Sequence, residues 1–260
     1  MNASTQKKIN QLIEEGYEFE FGDYISKGWQ LLSDNAGSFI GYTLIVVLIS
    51  IVGLIIPVIG WLALIFLVGP ALFAGYFYMA KEASLTGNVE VSTGFSGFRE
   101  LGKIVPVWLL MAVVMFLSYL PYMVVMGPQY YALYVGLQGG DLDILSDPPS
   151  AGFWGILGLI PYYFTVSYMF AIPLAIFKDM GAWEAMEASR KIITKKWFLF
   201  FAFYVVTSLM SGIGFLLFLI GMLFTVSLAF LPLYAAFEDI VGVDDDETNP
   251  YDDDLEHLIV

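Results

Sequence analysis

Five tyrosines have the chemistry to bind a ligand: Tyr119 and Tyr122 in one long apolar run, and Tyr162, Tyr163 and Tyr168 in the next. A phenol offers an apolar body and a polar tip, which suits recognition of a lipid or small amphiphile. Pro121, Pro161 and Pro173 lie among them and free backbone carbonyls for a hydroxyl to answer. Met111, Met115, Met123, Met126 and Met169 add adaptable contact. The expected site is a pocket between the third and fourth membrane spans, in the outer half of the membrane. Lys191, Lys195 and Lys196 form a second group, placed to meet anionic lipid headgroups. A third lies in the tail, where Tyr251, Leu258, Ile259 and Val260 accompany the acidic run Asp244 to Asp254. Such a tail forms no core and reads as a disordered docking peptide for a basic partner surface.

Other chemistries lack their residues. The chain has no Cys, and its one histidine is His257 in the tail, so thiolate sites, histidine metal centres and Ser-His triads are excluded. No EF-hand loop, phosphate-binding loop or nucleic-acid footprint occurs. The apolar runs contain no Asp, Glu, Lys, Arg or His, which disfavours ion-coupled transport and leaves no acid, base or nucleophile pair at membrane depth. No cofactor or metal is expected. The first functional reading is a non-enzymatic scaffold or assembly partner with cytoplasmic surface helices and the acidic tail. The alternative is lipid or small-amphiphile binding or transport through the tyrosine pocket. Expected partners are membrane lipids, a protein met by the tail, and a second copy of the chain, with no nucleic acid.

The elements that must position these residues are membrane spans. Of 260 residues 58% are hydrophobic and 14% charged, and the mean hydropathy is +0.75. About 20 residues of helix cross a hydrocarbon core of roughly 30 Å. The apolar runs predict an all-α protein with six transmembrane helices at about 39–56, 61–80, 104–127, 152–177, 197–217 and 222–237. Residues 1–22 form a cytoplasmic N-terminal segment, 23–242 the membrane domain, 128–151 an external loop and 243–260 the tail. With six spans all eleven Lys and Arg fall on one side, while the external loop carries Asp141, Asp143 and Asp147 without a base. The positive-inside rule then puts both termini in the cytoplasm, in what reads as a bacterial inner membrane. The acidic stretch before the first span lacks the basic region of a cleavable signal peptide.

The first hairpin also aligns without gaps on the last. Phe39 meets Phe200, Ser50 meets Ser211, Gly53 meets Gly214, and Gly60 meets Gly221. Each hairpin follows an amphipathic stretch, with Tyr24, Ile25, Gly28 and Leu32 in one and Ala182, Met186, Ser189 and Ile193 in the other. Trp29, Trp183 and Trp197 suit the headgroup level. The reading is a parallel internal repeat of surface helix plus hairpin. Small residues at Gly37 and Gly41, at Ala71 and Gly75, and at Gly152, Gly155 and Gly158 permit close helix approach, within the chain or between copies.

The segment Lys178-Asp179-Met180-Gly181-Ala182-Trp183-Glu184-Ala185-Met186-Glu187-Ala188-Ser189-Arg190-Lys191 resembles a segment of bacterial six-helix proteins related to the membrane domain of glycerophosphodiester phosphodiesterases. Ile25 to Leu32 and Phe95 to Arg99 are similar to the same group's pre-helix segments, so the resemblance runs from about Asp23 to Gly242. It implies a six-helix membrane fold. The phosphodiesterase activity of that family sits in a separate soluble domain whose metal-binding His and Glu cluster has no counterpart here. Some relatives carry a carotene-oxygenase label, which implies an iron site of several histidines, and His257 alone does not supply one.

Overall fold

The computed structural model describes residues 3–139, 152–214 and 218–243, and the described chain is helical without a strand. Asp141, Asp143 and Asp147 of the expected external loop lie outside the described residues, as do Tyr251, His257, Leu258, Ile259 and Val260 of the tail. Among the described residues, five helices are long and apolar enough to cross a membrane: Ala36–Ile55, Ile59–Thr86, Val91–Gln138, Ile156–Phe177 and Gly221–Ile240. A sixth crossing arises if Ala182–Thr194 and Trp197–Ile213 count as one span bent by 100°.

Two short helices precede the first span. Helix α1 (Ala3–Glu15) buries Ile9, and α2 (Phe21–Asp34) buries Tyr24, Gly28, Leu31 and Leu32. Their i, i+4, i+7 spacing puts the apolar residues of α2 on one face. Asn35 then breaks the chain at φ −122°, ψ 29° before α3 (Ala36–Ile55). Its side-chain oxygen accepts from the Val89 N–H at 3.2 Å, while its amide donates to Leu31 O and Gly87 O. The break is thereby tied to the far end of the next hairpin arm.

That arm consists of α4 (Ile59–Ala63), a π-helical turn (Leu64–Val68) and α5 (Gly69–Thr86). At the hairpin tip Gly53 packs on Leu64, and Gly60 on the carbonyl of Gly53. The chain returns through a 3₁₀ segment, Val91–Glu100, which lies against α5. Ten residues of 3₁₀ helix are unusual. Here the hydrogen bonds run to a neighbour: the buried Tyr42 hydroxyl donates to Leu72 O at 2.8 Å or to Gly94 O at 2.9 Å. Gly75, Gly94 and Gly97 let the two backbones meet, because a Cβ at any of them would overlap Tyr42, Gly94 O or Ala71 O. The small pair Ala71 and Gly75 therefore works inside the chain.

Helix α6 (Leu101–Gln138) has 38 residues, about 57 Å at 1.5 Å per residue, nearly twice a hydrocarbon core. It extends past the predicted end at Gly127, because Pro128 is carried within the helix as Pro106 and Pro121 are. The following uncharged stretch of Tyr, Ala, Leu and Val continues it to Gln138. Only 11% of its most apolar stretch is buried and 17% of that of α3, against 61% for Ile156–Phe177. The first two therefore lie at the periphery and the last in the centre.

This central span is broken. It comprises a 3₁₀ segment (Gly152–Leu159), α7 (Ile160–Ser167) and α8 (Ala171–Phe177), with a turn at 168–170. Helix α9 (Ala182–Thr194) packs on α6, α7 and α8 and meets α10 (Trp197–Ile213) at Lys196, φ −132°, ψ 38°. The chain closes with α11 (Phe218–Thr225), a 3₁₀ turn (Val226–Ala229) and α12 (Leu231–Ile240). Gly214 packs on Gly221 and Thr225.

Charges gather at one end. Lys27 pairs with Glu238 at 2.6 Å, and Ser84 and Tyr234 donate to the same carboxylate. Tyr24 donates to Asp239 at 2.6 Å. Lys103 pairs with Asp179 at 2.8 Å, and its hydrogen bond holds that carboxyl below the usual range. These contacts bring α2, the ends of α5, α8 and α12 and the start of α6 together. The buried core, including Phe77, Phe170, Phe200, Ile193 and Phe237, lies near this end. The far halves of the spans expose large apolar side chains, with Ile55 72% and Val124 73% exposed, as surfaces facing lipid do.

Candidate ligand cavity

The site is built on the break between α7 and α8. Where a helix stops at membrane depth its freed N–H and C=O groups need partners, since no water is at hand. Ser189 of α9 supplies both: its hydroxyl accepts from Phe170 N at 3.1 Å and donates to Ser167 O at 2.8 Å. Ser189 is fully buried. The turn at 168–170 thus seats Tyr168 and Met169 toward the other spans.

Beside it lies a cavity of about 320 Å³. Phe73, Trp108, Met111, Met169, Phe230 and Leu233 form most of its apolar wall. Phe230 is locked in place by stacking on Tyr76, ring centres 4.4 Å apart, and by edge contact with Phe73 at 4.8 Å. The polar lining is Thr165, Tyr168, Tyr204, Thr207 and Ser208. Thr165 donates to Pro161 O at 3.0 Å and Thr207 to Phe203 O at 2.9 Å, so these two are satisfied within their own helices. The hydroxyls of Tyr168, Tyr204 and Ser208 and the indole N–H of Trp108 have no hydrogen-bond partner among the described residues. An apolar chamber with a few unengaged polar groups holds a mostly apolar ligand and orients it by one or two hydrogen bonds.

Of the five tyrosines singled out by sequence, the structure places Tyr168 on this cavity. Tyr119 and Tyr162 are exposed. Tyr122 is half-buried beside Tyr130, the hydroxyls 3.3 Å apart, and its ring packs near Gly158. Tyr163 stacks on Trp197 at 5.8 Å and lies beside Arg190 and Thr194. The expected place in the outer half also shifts. The turn that carries Tyr168 is bonded on both sides to Ser189 of α9, so the cavity lies toward the part of the bundle on which α9 packs. The cause is the break itself, which needs Ser189 and is therefore held against α9.

The lysine group sits on the same helix and its end. Lys191 is 3.4 Å from Glu187, Lys195 is exposed, and Lys196 lies over the Tyr17 ring at 5.9 Å. Arg190 grips Glu187 through Nε at 2.9 Å and Nη2 at 2.7 Å, and these hydrogen bonds hold the Glu187 carboxyl below its usual range. Trp183 and Trp29 are exposed, while Trp197 is half-buried.

Residues that the sequence reading passed over do much of the lining: Thr165, Thr207 and Ser208, with Trp108, while Met111 and Met169 are two of the methionines it named. A signal was present, because hydroxyls are few within the apolar runs and polar side chains at that depth carry meaning. Compared with protein-family models, curated proteins and solved structures, the chain matches none.

Proposed function

We propose that this protein is an integral membrane protein that binds a lipid or small amphiphile between α5, α6, the α7–α8 break, α10 and α12. The observation that carries the reading is the cavity of about 320 Å³ with unengaged hydroxyls of Tyr168, Tyr204 and Ser208 in an otherwise apolar wall. Its size falls at the lower end of small-molecule pockets, roughly 300–1,000 Å³. The scaffold reading depends on Tyr251, Leu258, Ile259 and Val260, outside the described residues, and the cavity reading takes precedence.

Native mass spectrometry of the protein extracted gently from its own membrane tests this. The expected wild-type spectrum carries one bound amphiphile. Thr207→Trp replaces a buried lining residue with an indole in the cavity, and the bound mass is expected to disappear, since filling the space weakens binding about a hundredfold or more. A wild type without bound amphiphile, or equal retention by Thr207→Trp, overturns the proposal.

The finer topology belongs to the same proposal: six spans, both termini cytoplasmic, in a bacterial inner membrane. The 100° bend between α9 and α10 supports it, because a spanning α10 then lays α9 along the surface. Gathering of Lys27, Lys103 and Arg190 at one end supports the orientation. A reporter active only in the cytoplasm is expected to be active when fused after Val260. Activity there of a reporter that works only in the periplasm refutes the orientation.

The internal duplication is likewise proposed. It is supported by the similar backbone at the aligned breaks Asn35 and Lys196 and by the paired tip glycines, Gly53 with Gly60 and Gly214 with Gly221. Kinship with the membrane domain of glycerophosphodiester phosphodiesterases rests on the pre-helix segments of α2 and α9 and on Phe95 to Arg99.

A further inference from the structure

Every side chain that the described residues give to the chamber is uncharged. An ionic head held there would lose its water without meeting an opposite charge, and such burial is costly. Hydrogen-bond donors are present instead. The indole N–H of Trp108 can only donate, and it has no partner among the described residues, as is true of the hydroxyls of Tyr168, Tyr204 and Ser208. A bound molecule therefore needs an oxygen that accepts.

Position along the helices sets the depth of these donors. Lys103, paired with Asp179, marks the charged end of α6, and Trp108 follows it by five residues, about 8 Å at 1.5 Å per residue. On α10, Tyr204 and Ser208 follow Lys196 by eight and twelve residues, about 12 and 18 Å. With both helices spanning, the chamber lies well inside a hydrocarbon core of roughly 30 Å. Its mouth is on α10. Ser208 is exposed, whereas Tyr168, Ile172, Thr207 and Leu233 are buried. Val205 and Leu209, beside Ser208 on the same helix, are exposed too, and an apolar strip at that depth faces lipid. The volume sets the size. At about 30 Å³ for each water-sized group, 320 Å³ accommodates roughly ten non-hydrogen atoms.

We propose that the ligand is an uncharged molecule bearing a hydroxyl or carbonyl oxygen, taken sideways from the hydrocarbon core past Ser208 and seated between Trp108 and Tyr204. The inference rests on the cavity reading and on α6 and α10 as spans, and it names the class of ligand. Lipids with ionic heads are excluded, because the chamber has nothing to replace the water around their charge.

The test uses the full chain in phosphatidylcholine nanodiscs and the quenching of tryptophan fluorescence by bromine. Four compounds share one tail: ω-bromooctanol, bromooctane, and the permanently charged ω-bromooctanesulfonate and ω-bromooctyltrimethylammonium. Concentrations are compared as mole fraction in the lipid, so that partitioning into the bilayer is not counted. Subtraction of Trp108→Phe isolates the signal from the chamber, and Trp108→Tyr repeats the subtraction. The alcohol is expected to quench Trp108 at about tenfold lower mole fraction than bromooctane, which leaves the donors unpaired, and lower still than either ion. Iodide, confined to water, is expected to leave the Trp108 signal unchanged. Quenching by either ion equal to that by the alcohol overturns the proposal, as does bromooctane equal to the alcohol. Quenching of Trp108 by iodide shows a mouth onto water and overturns the route from lipid. In each of these cases a brominated compound still reaches Trp108 and the cavity reading stands. If none of the four quenches Trp108, the cavity reading fails and this one with it.

Discussion

Gly75→Ala will lose more than about 3 kcal/mol of stability, beyond the usual 1–3 kcal/mol for an overpacked site. The new methyl would occupy the space of the Tyr42 hydroxyl and the Gly94 carbonyl. One obstacle is backbone, and the other is a fully buried ring whose hydroxyl serves Leu72 O and Gly94 O. Neither moves without parting α5 from Val91–Glu100. Gly97→Ala is expected to do similar damage, since its Cβ would meet Ala71 O. Gly102→Ala is the control: it is helical with nothing within 4 Å of the added carbon. It should be neutral or gain about 0.5–1 kcal/mol from helix propensity. Unfolding by sodium dodecyl sulfate titration of mixed micelles, followed by circular dichroism, measures all three. Equal midpoints for Gly75→Ala and Gly102→Ala would show that the close approach is not what holds this arm.

The membrane spans were readable because their signal is local. Charge-free runs near 20 residues, with the bases between them, need no knowledge of what packs on what. The features that depended on distant partners were not readable. Pro128 looks like a stop, yet α6 carries it and reaches Gln138. Gly94 and Gly97 alone do not announce a long 3₁₀ segment, because its support comes from Tyr42 and Gly75 on other arms. The fourth run, 152–177, reads as one helix with prolines as the candidate bends. The turn instead falls at 168–170, between Pro161 and Pro173, where Ser189 satisfies the backbone. The candidate site divides along the same line. Tyr168 was visible as an aromatic residue in an apolar run, whereas its juxtaposition with Thr165, Ser208 and Trp108 arises from α6, α7 and α10 meeting. Hydroxyls of Ser and Thr were outweighed by the larger and more numerous tyrosines.

The second large effect is expected at Ser189. Its hydroxyl is the partner of both Phe170 N–H and Ser167 C=O, and the whole side chain is buried. Ser189→Ala leaves a donor and an acceptor unpaired at a helix break, and each orphan costs about 1–3 kcal/mol. Because Ser189 is fully enclosed by protein, a loss of about 2–4 kcal/mol is expected. Ser227 provides the comparison. It is equally buried, and its hydroxyl has no partner among the described residues, so Ser227→Ala should be neutral or slightly stabilising. Both are serines in helical turns near the same end of the bundle, so propensity and size cancel between them. What remains is the two hydrogen bonds. The same change should also reach the ligand, because the break that Ser189 closes is what seats Tyr168 and Met169 on the cavity wall. Ser189→Ala is therefore expected to weaken retention of the bound amphiphile in native mass spectrometry as well as to lower the unfolding midpoint. Ser227→Ala should change neither. If Ser189→Ala melts early but binds as the wild type does, the serine holds the fold alone and the cavity wall is set by the packing of α6 and α10.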